Sequence, residues 1–483
     1  MINLLFKKTL IAFVLLFTSF CAYSQGYSIH LTLKPFANGK VWLGYHYGKV
    51  KAVADSVILD ANSQGVLSGK EKLPGGIYFI VSPKKEILFE LLIDQQQQFS
   101  ISADSARLPG SIVFTGSPEN KTFLDYTQFM NDHGKELAAL QKQLSLAKTK
   151  NDSAALKEKM KKINDEVKTE REQIEKKEPG SLLTTLLNAL KDPVIPAIPT
   201  LPNGRPDSTF AYRYYKAHYW DNFSFTDDRL IRTPIFEPKL DHYYKDLVSP
   251  EPDSINREID HMLLFSRTNK EMFKFLLIYF VQKYINPEYM GQDAVFIHLF
   301  EKYINTGQAD FYTEKYRKFV DDRAYSIMAN LIGQPAANLE MTDTAGKTRS
   351  LYEIPADFIL VCFWDPTCSH CKETIPRVDS IYQAKWKYEG VRIFGVMVDG
   401  GQDNWLNFIR THNLGDWINV YQTTAQHDAE ATAGKPDYRQ LYDVYQTPVL
   451  YLLDKEKRIV AKKLTYQQVD EIINLKLKKV NTP

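Results

Sequence analysis

Cysteine is scarce in this sequence, with 4 among its 483 residues. A secreted fold held together by disulfides would carry many more cysteines, spread along the chain. Here Cys21 lies near the N-terminus, whereas Cys362, Cys368 and Cys371 lie together in one short segment. The cysteines therefore exclude a disulfide scaffold and indicate a redox site in the last third of the chain.

An excess of charge of one sign is also missing, because 60 Lys and Arg residues face 58 Asp and Glu residues. Without Lys7 and Lys8, which belong to an N-terminal segment that we expect to be removed, the two signs balance. Nucleic acid and anionic lipid are therefore not expected as partners.

An apolar run of the roughly 20 residues that a membrane span requires is not present at the N-terminus. Instead, Lys7 and Lys8 precede a short apolar run over residues 10–17, and Ala22-Tyr23-Ser24 follows. This pattern is typical of a signal peptide over residues 1–24, cleaved after Ser24. We expect export to the periplasm and no membrane span after cleavage. Lipidation of Cys21 is the alternative, and the bulky Phe20 before it argues against that.

Residues 25–116 show short alternating stretches separated by turn signals such as Asn38-Gly39 and Pro74-Gly75-Gly76. The predicted strands cover residues 28–33, 41–47, 77–82, 86–93 and 98–102. They indicate a small antiparallel β-sandwich. No cluster of chemically reactive residues stands out, so we interpret this region as a binding or packing module.

Residues 117–331 are predicted to be mostly helical. Apolar residues at three-four spacing indicate two helices joined by a turn at residues 149–152: Leu137, Leu140, Leu144 and Ala147, then Leu156, Met160, Ile163 and Val167. A proline-rich stretch over residues 193–206 follows. The aromatic-rich segment 210–225 allows either a sugar- or peptide-binding platform or a helical core, and the core is favoured. Thr268 and Glu271 resemble a capping box before a buried helix.

Residues 332–483 alternate strands and helices and then end in a hairpin and a helix, which is an α/β pattern. "FILVCFW" (358–364) is a continuous apolar run, typical of a strand buried on both faces. We predict a helix over residues 372–386, a second buried strand over 391–399, a helix over 404–412, a hairpin over 447–464 and a final helix over 467–479.

The two cysteines of "FWDPTCSHCKETIP" (363–376) have the Cys-x-x-Cys spacing, which has three common uses. Structural zinc usually needs a second pair, which this chain does not contain, and the histidines of the helical region do not form a ligand spacing. Haem attachment needs His after the second cysteine, where Lys372 stands. Thiol–disulfide exchange needs the first cysteine at the end of a strand and the start of a helix, which is the predicted setting of Cys368.

With these motifs in place, residues 332–483 resemble the exported TlpA/ResA-like thiol-disulfide oxidoreductases of the thioredoxin superfamily. The similarity rests on "GQPAANLEMTDTAGKTRSL" (333–351), the Cys-x-x-Cys segment and Thr447-Pro448. It implies Cys368 as the nucleophile, Cys371 as the resolving thiol and Trp364 as the aromatic residue before the active-site loop. It also implies a cis Thr447–Pro448 bond, with Thr447 pairing with the bound substrate chain. The front regions, including "FTGSPEN" (114–120), look like the lead-in of Bacteroidetes thioredoxin-like proteins.

Two positions depart from the family pattern. Thioredoxins carry a buried Asp where this chain has Cys362, which we interpret as a small apolar core residue. Asp365 and Glu373 stay open as replacements for its proton-transfer role. His370, next to the second cysteine, resembles the DsbA-like dithiols, and we expect it either to stabilise the Cys368 thiolate or to be an exposed spacer.

The resulting expectation is a multidomain periplasmic thiol-disulfide oxidoreductase, a reductase or isomerase, that uses its dithiol and no cofactor or metal. Its expected partners are cysteine-containing proteins and an upstream membrane electron donor. The alternative is a non-catalytic cell-envelope binding protein with a vestigial thioredoxin domain. A peroxiredoxin is not favoured, because its Pro-x-x-x-Thr-x-x-Cys motif fails here: Pro366 lies only two residues before Cys368.

Overall fold

The computed structural model describes residues 26–480, so the predicted signal peptide and Cys21 lie outside the described residues. The chain divides into two compact units. Among the described residues, one unit contains those up to Val248 together with Leu264–Phe273, and the other contains Ser249–Leu263 together with those from Lys274 onward. The division falls inside the predicted helical region 117–331. Residues 274–331 therefore share a unit with the α/β region.

The front of the chain forms two four-stranded sheets, with strand orders β4-β1-β7-β8 and β3-β2-β5-β6. The strands are β1 (Tyr27–Lys34), β2 (Lys40–Tyr47), β3 (Val50–Ile58), β4 (Gln64–Gly69), β5 (Gly76–Val81), β6 (Ile87–Ile93), β7 (Gln98–Asp104) and β8 (Val113–Thr115). All five predicted strands are present. In this described region every pairing is antiparallel except that of β1 with β7, which is parallel and departs from the purely antiparallel prediction.

The two sheets share one hydrophobic core, to which β1 contributes Ile29 and Leu31 and β5 contributes Tyr78 and Ile80. Alternate residues of β1 point into this core, because successive side chains of a strand face opposite sides. The shared core makes this region a sandwich, as the turn-separated alternating stretches predicted.

The helical part begins with a long hairpin, and Thr149 accepts a hydrogen bond from the Asp152 N–H at 3.1 Å to start its second helix. This confirms the predicted hairpin and its turn. The helices are α1 (Pro118–Leu146), α2 (Lys150–Lys177), α3 (Leu182–Ala189), α4 (Phe210–His218), α5 (Phe236–His242), α6 (Pro252–Ser266), α7 (Lys270–Tyr284), α8 (Asp293–Leu299) and α9 (Glu314–Met328).

The aromatic-rich segment 210–225 forms α4 and the turn after it. Tyr219, Phe223 and Phe225 are buried, and Trp220 lies 5.2 Å from the ring of Phe223. The core interpretation is therefore confirmed for these residues. The capping prediction was wrong by one position, because Asn269 rather than Thr268 accepts the Met272 N–H, at 3.0 Å, at the start of α7.

The C-terminal region is a seven-stranded mixed sheet with the order β10-β9-β13-β12-β11-β14-β15. Its elements are β9 (Glu340–Asp343), β10 (Thr348–Ser350), β11 (Phe358–Trp364), α10 (Ser369–Ala384), β12 (Val391–Met397), α11 (Gln402–Thr411), β13 (Ile418–Tyr421), α12 (Thr424–Thr432), α13 (Tyr438–Leu441), β14 (Val449–Asp454), β15 (Ile459–Lys462) and α14 (Tyr466–Val480).

Strand β11 lies at the centre of this sheet, parallel to β12 and antiparallel to β14. Its side chains alternate between two cores, with Cys362 and Trp364 on one side and Val361 and Phe363 on the other. Burial on both faces explains why the strand is a continuous apolar run. Within residues 26–480, none of the helices combines the length and the apolar character needed to cross a membrane.

Candidate active site

A tight turn leads from β11 into α10 and places Cys368 at the N-terminus of the helix. The Asp365 carboxylate accepts hydrogen bonds from the Thr367 N–H at 2.6 Å and the Thr367 hydroxyl at 2.7 Å, which fixes the turn. The Cys368 N–H donates to the Asp365 carbonyl at 3.2 Å, and Cys368 is the residue before the first helical position. The sulfur of Cys368 therefore lies where the backbone N–H groups of a helix start have no helical partner.

The partly exposed thiol of Cys368 has a pKa below the ordinary cysteine value. Burial of this thiol raises the pKa, but hydrogen bonds outweigh the effect. The backbone N–H of Cys371 is the main donor, and the side chains of Thr447 and Cys371 and the backbone N–H of His370 add to it. Hydrogen bonds to a charged form favour that form, so this site favours a thiolate at Cys368.

Cys371 lies one helical turn later and is fully buried. Burial, with smaller contributions from the nearby Cys368 side chain, raises its pKa to about 12. The Asp365 N–H, which donates to the Cys371 sulfur at 3.4 Å, acts in the opposite direction. The pKa values of the two thiols of one short segment are therefore shifted in opposite directions.

Thr447 and Pro448 lie beside this pair, joined by a cis peptide bond. The thiol of Cys368 donates to the Thr447 carbonyl oxygen at 3.5 Å. Strand β14 begins at Val449 and pairs with β11 at Phe363, which brings Thr447 to the same end of the sheet as the Cys-x-x-Cys turn. The sheet thus places three of the residues chosen from the sequence, Cys368, Cys371 and Thr447, in one site.

The other supporting residues have different positions. Trp364 is buried beneath the turn, with its ring 5.1 Å from that of Phe408, so it packs in the core and is not on the surface of the site. The imidazole of His370 is exposed, and the group of this residue that lowers the pKa of Cys368 is its backbone N–H. The contact with Cys368 that the structure shows is therefore made by the His370 backbone and not by its imidazole.

Cys362 is fully buried in the same core as Cys371, which confirms its interpretation as a core residue. Burial raises its pKa well above the ordinary value, and the neighbouring Cys371 adds to this. A thiol in this environment keeps its proton, so Cys362 cannot take over proton transfer from the carboxylate that thioredoxins carry there. The Asp365 carboxylate binds Thr367 instead of the Cys371 sulfur.

Sequence reasoning missed Gly400, which packs against the Cys-x-x-Cys turn. A Cβ atom at this position would lie 2.5 Å from the Asp365 Oδ1 atom and 2.8 Å from the Pro366 side chain, and its φ of 96° is in the left-handed region. The Gly400-Gly401 pair at the end of β12 was the available signal, since parallel β11 and β12 end at the same edge of the sheet. No group of three or more potential metal ligands occurs among the described residues.

Comparisons with family models give two matches. Residues 145–324 match a domain of unknown function (DUF5106), and residues 332–462 match the AhpC/TSA family. No curated protein matches the chain.

Several solved structures are similar to this chain. One is a domain of possible thiol-disulfide isomerase from Cytophaga hutchinsonii, with 34% sequence identity over 32% of this chain and 97% of that chain and a TM-score of 0.28. A thiol:disulfide interchange protein from Bacteroides sp. has 27% identity over 30% of this chain and 93% of that chain, with a TM-score of 0.26. A thioredoxin-like protein from Bacteroides caccae has 23% identity over 58% of this chain and 98% of that chain, with a TM-score of 0.42.

Proposed function

We propose that this chain, whose C-terminal domain belongs to the thioredoxin-like thiol-disulfide oxidoreductase family, reduces or isomerises disulfides in exported proteins through Cys368 and Cys371. The observation that carries the proposal is the opposite pKa shift of the two thiols, lowered at the partly exposed Cys368 and raised at the buried Cys371. A nucleophile must be ionised and accessible, whereas a resolving thiol must stay protonated until the first step is complete.

In the first step, the Cys368 thiolate attacks one sulfur of a substrate disulfide. The substrate S–S bond breaks, a mixed disulfide forms at Cys368, and the released substrate sulfur takes up a proton. Attack removes the negative charge of Cys368, and that side chain is one of the groups that raise the pKa of Cys371. The pKa of Cys371 therefore falls when its thiol is needed.

In the second step, Cys371 loses its proton and attacks the Cys368 sulfur. The mixed disulfide breaks, the Cys368–Cys371 disulfide forms, and the second substrate thiol leaves. The substrate gains the two electrons that the protein loses. Each further reduction needs an upstream dithiol donor, whereas isomerisation returns the electrons to the substrate and needs none.

We assign to the Thr447 carbonyl the role of binding the substrate backbone through a hydrogen bond. It accepts the Cys368 thiol at 3.5 Å in the dithiol form, so it becomes available when this sulfur is ionised or bound to substrate. A substrate N–H that pairs with it would hold the substrate disulfide next to Cys368. This arrangement suits extended cysteine-containing segments of proteins, because the recognition uses the backbone and not a particular side chain.

The proposed location is the periplasm, supported by the charged, apolar and small-residue pattern of residues 1–24. There the dithiol must be kept reduced against an oxidising environment, so a membrane electron donor is part of the proposal. The dithiol itself supplies the chemistry, and we assign no other cofactor. The peroxidase reaction is not assigned, because the cysteine spacing of peroxiredoxins is not present in 361–371.

Reduction of insulin by dithiothreitol tests this function with the chain from residue 25 onward. The wild type should accelerate precipitation of the insulin B chain, and Cys368→Ser should abolish the acceleration. Cys362→Ala is the matched control, since it removes a cysteine of the same segment that is buried away from the surface. Equal rates for the wild type and Cys368→Ser would refute the assignment and leave a non-catalytic binding role.

A further inference from the structure

The stretch that leads into Thr447 is held by ion pairs around a buried carboxylate. Asp443 lies four residues before Thr447, with a left-handed φ of 51° and a side chain that is 2% exposed. One of its carboxylate oxygens accepts a hydrogen bond from Arg323, and the other accepts one from Lys463. A buried carboxylate needs such partners, because burial of an unpaired charge is costly.

Arg323 contacts this stretch at two points. Besides Asp443, its guanidinium lies 5.7 Å from the centre of the Tyr445 ring, within the range of a cation–π interaction. A further guanidinium nitrogen donates to the Asn286 side chain at 3.0 Å, which holds the arginine from the other side. The Arg323 side chain is 11% exposed and thus fixed in position. Residues 443 and 445 are thereby anchored immediately before Thr447.

Helix α9, which carries Arg323, is itself fastened to the C-terminal sheet. Asn330, just after α9, donates to the Leu441 carbonyl at 3.0 Å and accepts the Lys462 ammonium at 2.6 Å. Lys462 also pairs with Asp293 of α8 at 2.5 Å, with both side chains buried. Arg323 therefore acts from a rigid support and not from a mobile arm.

The position of Arg323 in the chain gives these contacts a meaning beyond stability. It lies inside residues 145–324, which match the domain of unknown function, and outside residues 332–462, which match the thioredoxin-like family. We infer that Arg323 is a positioning residue for disulfide exchange: by holding Asp443 and Tyr445 it sets the Thr447 carbonyl against Cys368. The inference rests on the proposed function and assigns the helical region a part in it.

The test compares Arg323→Ala with Lys318→Ala in the full chain. Lys318 is on the same helix and pairs with Asp322 at the surface, so it controls for the loss of one positive charge from α9. A shift of the Thr447 loop by about 1 Å should lower the rate of disulfide exchange about ten- to a hundredfold. We expect Arg323→Ala to show this loss in kcat/KM and Lys318→Ala to match the wild type.

A second readout does not depend on any substrate. Hydrogen bonding by the Thr447 side chain is one of the effects that lower the pKa of Cys368. Displacement of Thr447 should therefore move the thiolate absorbance titration of Cys368 to higher pH in Arg323→Ala. Arg323→Lys, which keeps the positive charge, should show a smaller shift. If the wild type catalyses no exchange, the proposed function fails, while this titration still decides the positioning role.

Folding is checked by circular dichroism and thermal unfolding of each variant. If Arg323→Ala does not fold, Asp443→Asn takes its place, since it keeps the shape of the carboxylate and removes its charge. A folded Arg323→Ala or Asp443→Asn variant with the wild-type exchange rate and the wild-type Cys368 titration would overturn the inference. The inference would also be overturned if a variant were less stable while its folded fraction kept the wild-type exchange rate and the wild-type Cys368 titration.

Discussion

Alkylation of the reduced protein should distinguish the two active-site thiols by more than a thousandfold at pH 7. The pKa of Cys371 is raised to about 12 by burial, so about one molecule in 10⁵ carries a thiolate there at pH 7. Cys368 has a lowered pKa, and even an ordinary cysteine of pKa about 8.5 is ionised to a few per cent at this pH. The ratio of these fractions exceeds 10³ before the burial of Cys371 is considered.

The assay uses limiting iodoacetamide, a short reaction and peptide mass spectrometry to locate the single label. Cys362→Ala provides the background, because it leaves Cys368 and Cys371 as the thiols of the described chain. The rate at Cys368 should rise with pH and level off at a lower pH than that of an ordinary cysteine thiol, since its pKa is lowered. Equal labelling of Cys371, or a rate at Cys368 that still rises in proportion to hydroxide above pH 9, would refute the reasoning.

Two further predictions concern the same thiols. His370→Ala keeps the backbone N–H that lowers the pKa of Cys368 and should leave the alkylation profile of this thiol unchanged. His370→Pro removes that N–H and should shift the profile to higher pH, so equal profiles for the two variants would show that the backbone contact is unimportant. The free energy of unfolding of the reduced protein should fall as the pH rises above about 8.5, because the raised pKa of Cys371 stabilises the fold fully only below the pKa of the unfolded thiol. Denaturant titrations of the wild type and Cys371→Ala should diverge by up to about 1.4 kcal/mol per pH unit in that range, and parallel curves would contradict the burial argument.

The parts of this protein that could be predicted from sequence are those with a strong local pattern. Strand β11 is a continuous apolar run because both of its faces are buried, and its predicted bounds match the structure. The hairpin of α1 and α2 followed from three-four spacing and a polar turn. The position of the Cys-x-x-Cys pair could be predicted because the strand before it and the helix after it are both recognisable within a few residues of the pair.

The strands that were missed in the front region of the chain have weaker patterns. Strand β3 is half-exposed and carries Lys51 and Asp55, and β4 and β8 are short edge strands. A strand at the edge of a sheet buries fewer side chains, so its apolar alternation is less regular. The parallel pairing of β1 with β7 depends on how the two sheets close around a common core, which no single stretch of sequence records.

Only those parts of the site whose residues lie close together in the sequence, or that belong to a known motif, could be predicted. Thr447 was located by its proline and by resemblance, whereas the contact of Arg323 with Asp443 joins residues 120 positions apart. Neither residue belongs to a recognisable motif, and each alone resembles a surface charge. For His370 the sequence left a stabilising side chain or an exposed spacer open, and the contact with Cys368 seen in the structure is made by its backbone N–H.

The reduction potential of the Cys368–Cys371 pair tests the central claim most directly. Equilibration with glutathione buffers, followed by mass spectrometry of the trapped thiols, gives this value for the wild type, with Cys362→Ala as the control. Stabilisation of the Cys368 thiolate makes the pair more oxidising, so we expect its potential to lie above that of thioredoxin, about −270 mV, and a reductase or isomerase should remain below DsbA, about −120 mV. We therefore predict a potential between these two values. A potential at or above about −120 mV would identify an oxidase instead, and failure of the pair to form a disulfide in any buffer would contradict the proposed chemistry altogether.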